Sequence, residues 1–279
     1  MTAIRRVSLA AAVALAAFLA TPLGASHAAT GAIHPGVQTF TNGAQCTANF
    51  IFRDATGTYI GQAAHCSGTG GNTETNGCTS GSLPIGTQVT VTGASKPGTM
   101  VYNSWLTMQQ VTHETNADVC QYNDLALVKL DPADAGNVDP TVPFWGGPVG
   151  TNTAGAPSGS KVYSYGNSEL RGGATQLSPK TGVSLGDRAS GWSHVVSTAS
   201  PGIPGDSGSA FLDATGNALG VLSTIEVGTP GGVDNGVGDI NKEVNYMHAH
   251  SSIAAPIVLG GPFNGNQVPI GGGLGGLLG

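Results

Sequence analysis

The sequence predicts an all-β protein. Only 9% of the residues are charged, well below the usual quarter, and 45 of the 279 residues are glycine. A typical disordered chain carries more charge, and collagen spaces its glycines regularly, so neither class fits. Short apolar or β-branched runs separated by glycine-rich turns instead indicate many short strands. The length leaves room for one large domain or two small ones, with a proper core.

Residues 1–28 have the pattern of a secretory signal peptide. Two arginines form a basic start, residues 7–20 are apolar, and small residues flank His27 just before the expected cleavage point after Ala28. A membrane anchor is the alternative, but the apolar run is shorter than the about 20 residues that a span needs. We therefore expect a secreted, extracellular protein, in which disulfides persist.

The first half of the mature chain alternates between strand-like and turn-like residues. A turn at residues 54–57 separates two strand candidates, and the second of these leads to His65. We find little sign of a helix in this half. The predicted strands cover residues 46–52, 59–66, 87–92 and 125–130.

The second half begins with residues 131–160, whose Pro, Gly, Asn and Thr content indicates a crossing between two β units. Beyond it we predict strands at residues 161–165 and 193–198, and a hairpin over residues 211–222 that turns at 213–216.

Residues 239–252 are predicted to form a helix. Ile240, Val244 and Met247 fall at helical spacing, and Asp239 or Asn241 can cap the start. Two histidines near its end, at positions 248 and 250, point to different faces, so we interpret them as surface residues and not as metal ligands. The final nine residues contain only Gly and Leu, and no function can be read from them.

Residues 200–211 form the most informative stretch of the chain. Glycines and prolines surround Ser207, a pattern typical of a tight, rigid loop that leads into a strand. Such a loop can point the amides of Gly205 and Ser207 the same way, beside the hydroxyl. A nucleophile next to two amide donors is what acyl transfer requires. The alternative is an ordinary Gly-Ser turn.

Two further residues supply what a serine nucleophile lacks. An imidazole can take the hydroxyl proton, and His65 follows a strand-like run. That imidazole needs a buried carboxylate to orient it, and Asp124 begins a strongly apolar segment, where an unpaired carboxylate is costly. Taken singly, His65 is a core histidine and Asp124 a residue at the start of a strand. Together with Ser207 they favour a catalytic triad.

The sequences AAHC, NDLAL and GDSGS around these three residues resemble those of the chymotrypsin-like (trypsin-family) serine proteases, most of all the secreted bacterial ones. The resemblance extends from about residue 36 to about residue 250. It implies two antiparallel Greek-key β-barrels with the active site between them. It also implies catalytic roles for His65, Asp124 and Ser207, and an oxyanion hole at Gly205 and Ser207. The chain order His, Asp, Ser differs from that of α/β-hydrolases and subtilisins.

This interpretation divides the chain into five parts. They are a signal peptide at 1–28, a first barrel with His65 and Asp124 at 29–135, the crossing and a second barrel with Ser207 at 136–240, a helix at 241–254 and a glycine-rich tail at 255–279.

The four cysteines, at positions 46, 66, 78 and 120, predict two disulfides. An even number of cysteines in a secreted chain without a Cys-x-x-Cys pair indicates bridges more often than a metal site. Four cysteines allow three pairings. Hairpin geometry favours Cys46–Cys66, which the resemblance supports, and this choice leaves Cys78 with Cys120.

The resemblance also indicates a substrate pocket. Its expected residues are Pro201, Gly202, Ser223, Thr224 and Ile225. Trypsin-like relatives carry an aspartate at the first position, and Pro201 cannot supply its charge, so the pocket should not accept Lys or Arg. We expect Ile225 to narrow the pocket, strand alternation to turn Glu226 away from it, and small or medium uncharged side chains to be preferred.

Asp206 is a buried carboxylate in the family and needs a cation. Relatives that are activated by clipping use a new N-terminal amine for this purpose, usually one freed after a basic residue. No Lys or Arg lies between Arg6 and Arg53. We therefore expect removal of the signal peptide alone to give active enzyme, and Arg171 or Arg188 to pair with Asp206.

The sequence thus predicts a secreted serine endopeptidase that acts on polypeptides, as a monomer and without metal or cofactor. A net charge of −6 without a basic stripe argues against nucleic acid and anionic membranes as partners. One alternative is a secreted esterase with the same triad. Another is a protease-fold binding protein without catalytic activity.

Overall fold

Two antiparallel β-sheets form the framework of the described part of the protein. The computed structural model describes residues 30–71 and 74–270. The first sheet has seven strands and curves into a half-barrel, and the second has six strands and closes into a barrel. With the helix near the C-terminus, this confirms the predicted fold class. The predicted signal peptide and the final nine residues of the predicted tail lie outside the described residues.

The first sheet is ordered β2-β1-β5-β6-β7-β4-β3. In β4 and β7, Ala63 pairs with Leu125, so the end of one strand lies beside the start of the other. This register brings the residues after β4 close to the residue before β7. The strands are β1 (Gln38–Thr41), β2 (Ala44–Thr47), β3 (Ile51–Asp54), β4 (Gly57–Ala63), β5 (Gln88–Val91), β6 (Gly98–Asn103) and β7 (Leu125–Lys129).

The second sheet closes in the order β10-β13-β12-β11-β8-β9. Strands β8 and β10 have the predicted bounds. Strands β9 and β13 were not predicted, because their glycines and polar residues hide the alternation that marks a strand. The strands are β8 (Lys161–Tyr165), β9 (Pro179–Arg188), β10 (Ser193–Thr198), β11 (Ala210–Leu212), β12 (Ala218–Val227) and β13 (Val233–Asp239).

In the described part of the chain, three α-helices accompany the sheets: α1 (Ser104–Thr107), α2 (Ala117–Tyr122) and α3 (Ile240–His250). The last is the predicted C-terminal helix, and the Asp239 side chain caps it by accepting the Lys242 N–H. The sequence shows little sign of the first two, because four and six residues are too few to give a periodic pattern. Within the described residues, no helix has the length and apolar character needed to cross a membrane.

The expected strand at residues 46–52 is wrong in one respect. The chain leaves β2 at Thr47 and enters β3 only at Ile51, with a non-strand segment between them. The expected strand at 59–66 ends early as well, because β4 stops at Ala63 and a one-turn 3-10 helix, Ala64–Ser67, carries His65.

A shared core holds the two sheets together. Side chains from both sheets and from α3 pack in one buried cluster, which includes Phe50, Trp145, Leu212 and Met247. Trp145 belongs to the predicted crossing, is fully buried, and donates its indole N–H to Ser164 O at 2.8 Å. The crossing segment is therefore part of the core between the two sheets.

Candidate active site

The side chains of His65 and Asp124 contact each other directly. His65 Nδ1 lies 2.6 Å from Asp124 Oδ2, and the side chains are 24% and 3% exposed. The backbone N–H of His65 also donates to Asp124 Oδ1 at 2.9 Å. The carboxylate therefore holds the ring and the backbone of the histidine together, which fixes the orientation of the imidazole.

The local structure holds this pair in place. Ala64 donates its N–H to Asp124 O at 2.8 Å, which ties the one-turn helix to the start of β7. Asn103, fully buried, donates its Nδ2–H to Ala64 O at 3.1 Å and caps α1 with its Oδ1. The disulfide between Cys46 and Cys66 joins the end of β2 to the residue after His65. Three separate elements thus converge on the histidine.

The pKa of His65 is raised above its usual value of 6.5. Burial alone would lower the pKa, since it disfavours the charged ring, but the charge and the hydrogen bond of Asp124 outweigh burial. The carboxylate therefore stabilises the imidazolium, the form that a base reaches after taking a proton.

Ser223 is a third partner of this pair. Its Oγ–H donates to Asp124 Oδ2 at 2.6 Å. The sequence predicted Ser223 only as a pocket residue, and it does line the cavity, but its hydroxyl also bonds to the triad carboxylate. In the sequence, the one sign of this role was the position of Ser223 on a strand that runs past Ser207.

Ser207 lies on a loop that is bonded to both sheets. Its carbonyl accepts the N–H of Thr47, in β2, at 2.8 Å, and the next residue, Gly208, donates to Leu222 O, in β12, at 2.8 Å. Gly208 has a φ of +86°, and a Cβ there would lie 2.5 Å from Thr47 O, so only glycine fits. The serine is thereby placed between the sheets, on the same cavity as His65.

The loop leaves two amides free. Gly205 has a φ of +94°, and its carbonyl accepts the Thr47 hydroxyl at 2.7 Å. Among the described residues, neither the Gly205 N–H nor the Ser207 N–H has an acceptor within the protein. The same residues show no hydrogen bond between the Ser207 hydroxyl and the His65 ring. Both amides remain available to a bound group.

Asp206 is fully buried and paired with two cations. Arg171 donates through both guanidinium nitrogens to its two oxygens, and Lys180 Nζ lies 2.7 Å from Oδ2. Burial raises the pKa of this carboxyl, but the bonds and charges of Arg171 and Lys180 outweigh burial and lower the pKa overall. The expected pairing with Arg171 is confirmed. Arg188 is exposed at the end of β9 and makes no such pair, and Lys180 was not predicted.

A cavity of about 600 Å³ lies between the two sheets and is lined by His65 and Ser207. The first sheet and its loops contribute Ala44, Gln45, Cys46, His65, Cys66, Gly68, Gly70, Gly71, Glu74, Thr75 and Trp105. The second sheet contributes Ile203, Pro204, Gly205, Ser207, Leu222, Ser223, Thr224 and Ile225.

The predicted pocket residues divide into two groups. Thr224 and Ile225 line the cavity with Ser223, whereas Pro201 and Gly202 do not. Gly202 is buried against the cavity wall, and its N–H donates to Asn235 Oδ1 at 2.7 Å.

Space beside Gly202 is filled. A Cβ on this residue would lie 2.8 Å from Leu222 Cδ2, 3.2 Å from Asn235 Oδ1 and 3.3 Å from Ile225 Cδ1. Asn235, which the sequence did not single out, is fully buried, with its Nδ2–H donated to Val196 O at 3.0 Å. The segment before Ser207 therefore packs directly against β12 and β13.

Both predicted disulfides are present, Cys46–Cys66 and Cys78–Cys120. His65 groups with Cys46 and Cys66 within 4.8 Å, a spacing at which three ligand atoms could hold a metal. Both sulfur atoms are used by the disulfide, so they are not available as thiolate ligands.

The structure is similar to solved serine proteases. It aligns with Thermobifida fusca Protease A at 19% identity and a TM-score of 0.50, over 83% of this chain and 99% of that chain. It aligns at 16% identity and a TM-score of 0.50 with a glutamic acid specific serine protease that uses a histidine triad in substrate binding, over 81% of this chain and 100% of that one. At these identities the likeness shows the fold. A search of curated proteins found no match.

The sequence also matches a protein family. Residues 55–221, more than half of the chain, match the trypsin-like peptidase domain. The matched segment contains His65, Asp124 and Ser207. The chain therefore belongs to the trypsin-like serine peptidases and is a serine-type endopeptidase.

Proposed function

We propose that the protein is a secreted endopeptidase that cleaves polypeptides through an acyl-enzyme formed on Ser207. The observation that carries the proposal is that Ser207 and His65, whose ring is bonded to the buried Asp124, line one cavity between the two sheets. The geometry supports a triad in which each residue has the role that its type and surroundings favour.

In the proposed mechanism, Ser207 Oγ attacks the carbonyl carbon of the scissile bond while His65 takes the hydroxyl proton. Asp124 stabilises the resulting imidazolium, and His65 then returns the proton to the leaving amine. Water, activated by His65 in the same way, hydrolyses the acyl-enzyme. The amides of Gly205 and Ser207, which have no acceptor within the described protein, are placed to receive the oxyanion. Each such donor contributes about 10²–10³ in turnover.

An extended peptide has a strand to bind to. Gly220 and Val221 of β12 pair with both neighbouring strands, but within the described residues Thr224 to Val227 pair only with β13. The other edge of this stretch borders the cavity at Ser223, Thr224 and Ile225. A substrate can add to this free edge as a further strand, with its main chain hydrogen-bonded beside Ser207.

The packing around Gly202 supports a preference for small uncharged side chains before the cleaved bond. Leu222 and Ile225 are apolar residues of the cavity wall, and both pack closely against Gly202 in the segment before Ser207, which favours a narrow, uncharged site there. Glu226 accepts the Thr224 hydroxyl at 3.0 Å and is not among the residues that line the cavity, so the cavity wall offers no carboxylate there to bind Lys or Arg. Burial of an unpaired cation would be strongly unfavourable.

A peptide-library digest analysed by mass spectrometry tests this preference. We expect cleavage mainly after Gly, Ala, Ser or Val. Replacement of Ile225 by Gly should extend cleavage to larger apolar residues, while the exposed Val227→Gly change should leave the pattern as it is. Cleavage mainly after Lys or Arg would show that the pocket is wrongly placed.

Hydrolysis of casein, compared with that of short esters, separates the proposed endopeptidase from an esterase. We expect casein to be cleaved by the wild type and not by Ser207→Ala. Ester hydrolysis alone would favour the esterase, and the absence of both activities would favour the binding protein.

We further propose that signal removal alone yields active enzyme. Arg171 and Lys180 already neutralise Asp206, so no new N-terminal amine is required for that charge. N-terminal sequencing of active secreted protein should give a start close to Ala29. A start far beyond this residue, with the longer form inactive, would contradict the proposal.

A further inference from the structure

A second carboxyl lies directly behind the candidate triad. Glu243, in the first turn of α3, is fully buried, and its Oε1 accepts the backbone N–H of Asp124 at 2.8 Å. Gly238 makes this approach possible, because a Cβ there would lie 2.6 Å from the same Oε1. The helix thus reaches through β13 to the residue that orients His65.

This carboxyl has no cation to balance it. Within the described residues, Oε2 of Glu243 has no hydrogen-bond partner although it is buried. The charged groups that act on Glu243 are Asp124, at the start of β7, and Asp239, at the cap of α3, and both are carboxylates. The remaining titratable neighbour is Tyr102 of β6, whose buried hydroxyl also lacks a partner within the described residues.

The wider surroundings add no positive charge in direct contact. The two nearby histidines bond to the neighbouring carboxylates and not to Glu243 itself. His65 bonds to Asp124, and His194 bonds to Asp239. Of the other elements packed on α3, α1 contains no charged residue, and the acid of β12, Glu226, bonds to Thr224. The cation of β7, Lys129, lies at the far end of that strand against Gly57, and the second acid of β13, Asp234, bonds to Thr229.

An ionised Glu243 would place two anions side by side in a dry interior, which is costly. Burial accordingly raises the pKa of Glu243 well above its usual value, and the two neighbouring carboxylates act in the same direction. The neutral acid avoids this cost and still offers a carbonyl oxygen to the Asp124 N–H.

We propose that Glu243 is a positioning residue of the active site: as a neutral carboxylic acid it holds the Asp124 backbone and thereby fixes the carboxylate that orients His65. The inference rests on the proposed triad. It connects the C-terminal helix to catalysis, without adding a charge that would alter the basicity of the histidine.

The test is steady-state kinetics of the secreted enzyme on a cleavable peptide across pH 5–9, for Glu243→Leu, Glu243→Gln and wild type. The Leu variant lacks the acceptor, and we expect kcat to fall by about tenfold or more with KM unchanged, because small displacements of a triad member are costly. The Gln variant keeps the acceptor, and we expect it to recover most of kcat. Asn245→Ala, an exposed change on the same helix, is the matched control.

The midpoint of the acid limb of the pH profile shows whether Glu243 is charged. Because the residue is neutral, Glu243→Gln should leave the midpoint of this limb in place. If Glu243 were ionised, loss of its charge would lower the His65 pKa and shift the limb by about one pH unit or more. Such a shift would overturn the inference, as would a Leu variant with wild-type kcat.

A second readout does not depend on the fold of the Leu variant. The infrared carboxylic-acid band of the wild type at neutral pH should contain a component that Glu243→Gln lacks, and identical bands would contradict a neutral Glu243. Wild-type enzyme that neither cleaves peptides nor reacts with a fluorophosphonate would instead overturn the proposed function.

Discussion

Of the three candidate triad residues, Asp124 makes the largest number of hydrogen bonds within the described part of the chain. His65 contacts both of its oxygens, through Nδ1 and through the backbone N–H, and Ser223 donates to Oδ2. Its own N–H is held by Glu243. A carboxylate with bonds to both of its oxygens is fixed in position, and it therefore fixes the orientation of the imidazole.

Ser223→Ala removes one of these bonds. A hydrogen bond to a charged group contributes about 1.5–3 kcal/mol, so we expect kcat/KM to fall about 10- to 100-fold. Without this donor, more of the carboxylate's negative charge acts on His65, so the His65 pKa should rise and the acid limb of the pH profile should move to higher pH. Ser158→Ala, at an exposed serine, is the control, and equal kinetics for both variants would contradict the role.

The pH dependence of activity should follow His65. Only the neutral ring can act as a base, and the His65 pKa is raised above 6.5 by Asp124. We therefore expect kcat/KM to rise with pH through a midpoint above 6.5. A rate profile that stays flat between about pH 5 and 8, where an imidazole titrates, would exclude His65 as the base.

Two cations from a neighbouring segment hold the loop that carries Ser207. Arg171 follows the short turn after β8, and Lys180 lies on β9, and both reach the buried Asp206. The Asp206 pKa is lowered overall, so its contribution to stability is present above the unfolded pKa and is lost as pH falls through the folded one.

Arg171→Gln should destabilise the protein by about 3 kcal/mol. This value is at the lower end of the range for breaking a buried ion pair, because Lys180 still pairs with Asp206. Chemical denaturation gives the free energy of unfolding. Arg188→Gln is the matched control, since Arg188 is exposed, and it should change stability by less than about 0.5 kcal/mol. Equal effects of the two substitutions would contradict the pairing.

A second histidine, His194 of β10, contacts carboxylates of β9 and β13. His194 is fully buried between Asp187, at 2.7 Å, and Asp239, at 3.1 Å. Burial alone would lower the His194 pKa, but the bonds to the two carboxylates outweigh burial, and the pKa is raised above 6.5. The stabilising contribution is therefore fully present below the unfolded pKa and is lost as pH rises through the folded pKa.

Asp187→Asn should lower stability by about 1 kcal/mol near pH 6, a value that allows for solvent screening of the half-buried carboxylate. The difference from wild type should shrink as the pH rises and His194 loses its proton. Thermal unfolding from pH 5 to 9 measures it. A difference that stays constant over this range would show that His194 is not charged in the folded protein.

Elements with regular patterns could be predicted from the sequence, and others could not. Strands β8 and β10 and helix α3 have apolar residues at clear spacing. Strand β9 contains a proline and two glycines in ten residues, and its position comes from closure of the barrel. The residues of α1 are buried by neighbouring segments, which local periodicity cannot show.

The same limit applies to the candidate site. His65, Asp124 and Ser207 carry recognisable local sequences, and so does Asp206. Lys180, Asn235 and Glu243 reach the site from strands and a helix distant in sequence, and their own surroundings in the chain carry no motif. Their roles depend on strand register and packing, which only the folded structure provides.

For the whole molecule, the two sheets act as a single framework around one cavity. A shared core and the bonds of the Ser207 loop to Thr47 and Leu222 join the sheets. The first sheet supplies His65 and Asp124, and the second supplies Ser207 and the free edge of β12. Neither sheet contains a complete site, so catalysis should require that both sheets are folded and joined.

The site of reaction with a fluorophosphonate shows directly which serine is activated. The reagent forms a covalent bond to an activated serine with loss of fluoride. We predict one adduct per chain, mapped by mass spectrometry to Ser207, and none in Ser207→Ala or in wild type denatured before treatment. An adduct at another serine, or no adduct in folded wild-type protein, would contradict a catalytic triad at His65, Asp124 and Ser207.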